Sequence, residues 1–144
     1  MRFFLWFEES GSMPLHLILH LDLHGRSAAA QARRATRAHL AAAATSGEDS
    51  LPPLTMDTAL LLISELVTNA VRHTSGGCLL EVRLASDGID IEVTDTSDAE
   101  PESRRPDRRG EGGWGWHLVN RLGSDVGIRH HAAGGKTIHV RVPR

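Results

Sequence analysis

Apolar and polar positions alternate strictly near the start of the chain. Leu15, Leu17, Leu19, Leu21 and Leu23 hold one phase, and His16, Ile18, His20, Asp22 and His24 the other. A period of two predicts a strand with one face buried. From Ala28 to about Ala44 the chain is Ala-rich and carries Arg33, Arg34 and Arg37, with Ser27 as an N-cap, so a helix is expected. Those arginines could grip phosphate or an acidic partner; the competing reading is a solvated helix face. Ser, Gly and two Pro then mark Thr45–Pro53 as a loop. From Thr55 to His73 there is neither Gly nor Pro, a length of about five helical turns. At roughly 100° per residue, Ala59, Leu62, Ile63, Leu66, Val67 and Ala70 share one broad face, with Glu65, Asn69 and Arg72 along its edge. Thr74-Ser75-Gly76-Gly77 reads as a glycine C-cap. Leu79–Ala85 and Ile89–Thr94 alternate as strands joined by a hairpin signal, Ser86-Asp87-Gly88. Two further strands, Val126–His131 and Thr137–Val142, flank Ala132-Ala133-Gly134-Gly135.

Composition narrows the class. A chain of 144 residues, with 40% hydrophobic and 24% charged residues, is one ordinary globular domain. A net charge of −2 and a pI near 6.5 give no electrostatic case for nucleic acid or an anionic membrane. Cys78 is the single cysteine, so an internal disulfide is excluded and a reducing compartment, the cytoplasm, is the simpler expectation. No run approaches the roughly 18 apolar residues of a membrane helix. Met1-Arg2-Phe3-Phe4-Leu5-Trp6-Phe7 is too short for a signal peptide and is interrupted by Glu8-Glu9. Residues 1–14 are therefore expected to be an ill-ordered extension, with Met13 an equally good start, and 15–143 a single domain.

Chemistry concentrates in few places. Glu65 and Asn69 lie one helical turn apart, where a carboxylate and a carboxamide can share a ligand. An Asn oxygen suits Mg²⁺, and Glu can orient or deprotonate a nucleophile; the alternative is an amphipathic helix with a solvated edge. Asp95, at a strand end, can accept a hydrogen bond from an exocyclic amine or merely start a turn. Ala99–Gly110 holds Arg104, Arg105, Arg108 and Arg109 among Pro and acidic residues, and reads as an unpacked segment. Gly110-Glu111-Gly112-Gly113-Trp114-Gly115 then precedes helical spacing at Leu118, Val119 and Leu122, and glycine backbone at a helix start can meet phosphate. His16, His20 and His24 fall on one strand face, but with i, i+2 neighbours already about 7 Å apart their four-residue spacing is too long for one ion, so a solvated face is expected. Gly135-Lys136-Thr137 ends like a P-loop, yet His130 stands at the required first glycine and a strand comes next instead of a helix.

Taken in order, Glu65-x-x-x-Asn69, Asp95 at a strand end and Gly113-x-Gly115 opening a helix resemble the GHKL ATPase superfamily. Glu65-Leu66-Val67-Thr68-Asn69-Ala70-Val71-Arg72-His73 looks like the N box of its anti-sigma-factor serine/threonine kinase branch, and Gly134-Gly135-Lys136-Thr137 like that branch's closing strand. The resemblance spans Leu15 to Val142. It implies an α/β (α+β) two-layer sandwich, a mixed, mostly antiparallel sheet covered by helices on one face, with a lid at about 96–112. It also implies ATP and Mg²⁺. Asn69 would ligate the metal, Glu65 would serve as base or orienter, and Asp95 would receive the adenine amine with Thr137 nearby. Gly113 and Gly115 would approach the phosphates, and His73 would support the pocket. Ser97 stands where the wider superfamily has glycine. Trp114 stands where relatives commonly carry Arg, and Trp116 where Leu is usual, leaving Arg105, Arg108 or Arg109 to supply the cation. The implied function is a cytoplasmic kinase that sequesters a sigma factor and phosphorylates a STAS-type anti-sigma antagonist; the resemblance admits a homodimer. The alternative is a nucleotide-dependent binding module that transfers no phosphate. A histidine-kinase catalytic half fits poorly, because no long helical segment with an acceptor His precedes the N box.

Overall fold

Segments with a period of two pair with one another, and segments with a helical period cover them. The computed structural model describes residues 2–6, 16–45, 51–99, 101 and 115–144. Its elements run β1 (Arg2–Trp6), β2 (His16–Leu23), α1 (Ala28–Thr45), α2 (Pro53–His73), β3 (Cys78–Ala85), β4 (Gly88–Asp95), α3 (Gly115–Leu122), β5 (Ser124–His130) and β6 (Lys136–Pro143). The six strands are ordered β1-β2-β3-β4-β6-β5.

Among the described residues every strand pairing is antiparallel, in keeping with the mostly antiparallel sheet that the resemblance implies. The connections explain it. A single crossover helix returns a chain to make parallel neighbours, whereas two helices lie between β2 and β3, so β3 re-enters the sheet reversed. Arg2–Trp6 departs from the expected unstructured extension: it pairs along β2, from Arg2 opposite His20 to Trp6 opposite His16. The edge of β2 left over by β3 offers a row of backbone groups for such a strand.

One sheet face packs on the helices. Leu19, Leu21 and Leu23 of β2 pack toward α1, whose Ala28, Ala32 and Leu40 are buried, and Leu80, Val82, Ile89, Ile91, Val93, Val140 and Val142 share one core with α2, where Leu62, Ile63, Leu66 and Val67 are fully or almost fully buried. Each such side chain contributes about 1.5–3 kcal/mol by leaving water. Length and composition alone would let α2 cross a bilayer; here its buried side is spent on the sheet. Its first residue is Pro53, whose fixed φ and missing N–H suit a first helical position. Its end departs from the expected glycine cap. Thr74 is the extended C-cap residue (φ −134°), its hydroxyl 2.8 Å from Ala70 O and 3.0 Å from Gly77 O. Glycine is required further on, at Gly77 (φ +73°), where a Cβ would strike Leu23 O and the His24 ring. Arg33 of α1 donates to Ser64 Oγ of α2 at 2.9 Å, tying the two helices beside Glu65.

The other sheet face carries the second phase of each strand. His20 Nδ1 lies 3.0 Å from Glu81 Oε1. At its centre Asp90 accepts from Arg83 Nη2 at 2.8 Å and, in bidentate fashion, from Arg141 Nε and Nη2 at 2.8 and 3.0 Å. Burial pushes the Asp90 carboxyl up, but the hydrogen bonds and charges of Arg141 and Arg83 outweigh it and hold the pKa at about 2, below the ordinary 3.8. A depressed carboxylate pKa stabilises the fold fully above the unfolded value and ceases to do so as pH falls through the folded one. Asp90→Asn is therefore expected to lower Tm by on the order of 5 °C at pH 7. The gap between the two proteins should close between pH 3.8 and about 2, the window set by the two pKa values. Melting curves from pH 7 to pH 2 check this; a gap that persists at pH 2 would assign the loss to packing.

Candidate functional site

The site is assembled where the C-terminal half of α2 meets the first turn of α3. Helical spacing puts Glu65 and Asn69 on one edge of α2, both half-buried, beside the fully packed Leu66 and Ala70. Gly115, the first residue of α3, is buried against Glu65. A Cβ at Gly115 would meet the Glu65 carboxylate oxygen and crowd its Cβ, so the two lie in close approach, and any side chain there would have to turn the Glu65 carboxylate aside. Two motifs 50 positions apart in sequence are thus in contact. The backbone at the start of α3 and the carboxylate of Glu65 form one polar surface, and Asn69 comes one turn along. His73, in the last turn of α2, is exposed.

Asp95 closes β4 on the helix-covered face and is buried. Its carboxylate is bound to Lys136 of β6, with Nζ 2.9 Å from Oδ1 and 3.1 Å from Oδ2. Ser97 N–H also donates to Oδ1 at 2.9 Å, and Ser97 O accepts from Lys136 Nζ at 3.2 Å. Gly135, held at φ +86°, lets the chain enter β6 against the Asp95 carbonyl, where any Cβ would collide. Its N–H donates to Asp98 Oδ1 at 2.8 Å. Cys78, opposite Asp95 on β3, is buried; desolvation, helped by the Asp95 charge, pushes its thiol up to about 12.

Thr137 does not join Asp95. Alternation along β6 sends it to the opposite face, where its hydroxyl lies 2.7 Å from Thr94 Oγ1 and 2.7 Å from His131 Nε2. The β6 side chain that meets Asp95 is Lys136, which the motif order alone does not single out. A signal for it is nevertheless present: Lys136 is in phase with Ile138, Val140 and Val142, and a lysine in a core phase needs a buried counter-ion. Arg109, Gly113, Trp114 and the other lid arginines lie outside the described residues, as does most of the lid expected at about 96–112.

These residues can accept a nucleotide with its metal. Gly115 brings the start of α3 against the Glu65 carboxylate, Asn69 offers a hard oxygen, and Asp95 Oδ2 retains an acceptor position. Comparison with known proteins bears on the same point. No curated protein matches the chain. Among solved structures, the crystal structure of the RsbU and RsbW domains of Rv1364c from Mycobacterium tuberculosis superposes with a TM-score of 0.63 at 24% identity, a likeness of fold. It covers 87% of this chain and 31% of that one. The family model described as the histidine kinase-like ATPase domain matches residues 26–142. The seat built by Glu65, Asn69 and Gly115 lies inside that match, and the chain belongs to the histidine kinase-like ATPase domain family.

Proposed function

We propose that this protein is a Mg-ATP-binding regulator of the anti-sigma kinase type, acting in the cytoplasm. In this reading it sequesters a sigma factor and phosphorylates a serine or threonine of an anti-sigma antagonist. The observation that carries the reading is the contact between Gly115 and the Glu65 carboxylate. It brings the one candidate base to the helix start where backbone N–H groups favour phosphate. Mg-ATP, when bound, supplies the phosphoryl group. Asn69 offers its amide oxygen to the metal, and Glu65 takes the proton of the partner's hydroxyl as it attacks. The likeness to a structure containing an RsbW domain supports a protein partner of the regulatory kind.

Incubation with γ-labelled ATP and a candidate STAS-type antagonist tests the reading. Label on a partner Ser or Thr is the expected result. Nucleotide-dependent capture of the partner without label would instead identify a binding module that transfers no phosphate.

A further inference from the structure

The ion pair between β4 and β6 includes Asp95, which the resemblance to GHKL ATPases sets against the adenine amine, and its role in choosing a base rests on the proposed function. Lys136 and Asp95 are almost inaccessible, with side-chain exposures of 6% and 4%. Their hydrogen bonds are unevenly filled. Asp95 Oδ1 already accepts from both Lys136 Nζ and Ser97 N–H, whereas Oδ2 accepts from Nζ at the longer distance of 3.1 Å and keeps a lone pair to offer. The longest contact of the ammonium, 3.2 Å, is to Ser97 O, on a half-exposed residue whose carbonyl water can serve instead. One acceptor and one releasable donor are therefore held side by side.

That combination matters for base choice. Adenine presents an N6–H donor beside the N1 acceptor. Guanine presents an N1–H donor beside the O6 acceptor. A carboxylate placed to accept from the adenine amine meets O6, acceptor to acceptor, when guanine takes the same position. A lysine ammonium next to the carboxylate gives O6, or adenine N1, the donor it needs. In a site this secluded an unmatched acceptor is costly, so the presence of the donor changes selectivity strongly. We propose that Lys136 is a specificity-determining residue that, paired with Asp95, admits guanine as well as adenine nucleoside triphosphates.

Displacement of a fluorescent ATP analogue by Mg-ATP, Mg-GTP and Mg-ITP measures this directly. On the unmodified protein GTP is expected to compete within about tenfold of ATP, because both edges find a donor and an acceptor. ITP keeps O6 and N1–H but lacks the 2-amino group, and it should behave as GTP does. In Lys136→Met the affinity for GTP relative to ATP should fall by a further 10- to 100-fold or so, the usual penalty for an unpaired buried acceptor. GTP more than about 100-fold weaker than ATP on the unmodified protein would overturn the assignment, and that arm needs no variant should Lys136→Met fail to fold. An unchanged GTP-to-ATP ratio in folded Lys136→Met would overturn it as well. Displacement by ATP but not GTP removes only the role of Lys136; displacement by neither removes the nucleotide reading and this inference together.

Discussion

Asn69→Ala is expected to abolish Mg²⁺-dependent ATP binding and leave the fold intact. Asn69 sits half-buried on the edge of α2, outside the packed stripe of Leu62, Leu66 and Ala70. Alanine is the better helix former, so truncation there costs the helix nothing. What it removes is the oxygen that the proposed function assigns to the metal, one turn from Glu65. Changes to groups outside a metal's own ligands typically cost 10- to 100-fold in affinity, so loss of a ligand should cost at least about 100-fold. Calorimetry with Mg²⁺ and with EDTA gives the answer. The variant in Mg²⁺ should bind no better than the unmodified protein in EDTA, with Tm unchanged. Full ATP affinity in a folded Asn69→Ala protein would remove Asn69 from the site and with it the proposed metal position.

Glu65→Gln should separate binding from transfer. Glutamine keeps the length of the side chain and a polar end against Gly115, so the seat at the start of α3 stays formed. It loses the ability to take a proton. Removal of a general base typically lowers rates by about 10²- to 10⁴-fold, so label transfer to the antagonist should fall by that factor while calorimetry still detects ATP. Equal transfer by both proteins would make Glu65 a structural support for α3 and favour the non-catalytic alternative.

The parts of this fold that are legible in the sequence are those governed by local periodicity. β3 and β4 alternate apolar and polar residues because the apolar phase of each faces the helices, and their tight turn comes from Ser86-Asp87-Gly88. α2 is legible for the same reason at helical spacing, and Glu65 and Asn69 come with it. β1 is not, because five residues of mixed apolar character become a strand only by finding the distant edge of β2. The Asp95–Lys136 pair depends on the register of β4 on β6, 41 positions apart, which no local pattern encodes. Thr137, expected near Asp95, lies one residue out of phase with it, and one residue is enough to change faces. The contact of Gly115 with Glu65 likewise arises from packing of α3 on α2, although the order of the motifs points to both residues.

The alternation of β6 has a consequence for how this chain can change over generations. Ile138, Val140 and Val142 can be exchanged for other apolar residues at modest cost, since each exchange is felt at one position. Adding or losing a single residue between Gly135 and Lys136 is another matter. It would turn all three toward the opposite face, put His139 and Arg141 into the core, and displace Lys136 from beside Asp95, a loss bringing Thr137 there instead. Gly135, wedged against the Asp95 carbonyl, sets the frame in which β6 is read. Insertions and deletions should therefore collect in the exposed turn 132–134, where Ala132 and Ala133 bear on nothing buried, and lineages of this protein should differ in β6 by spelling and not by length.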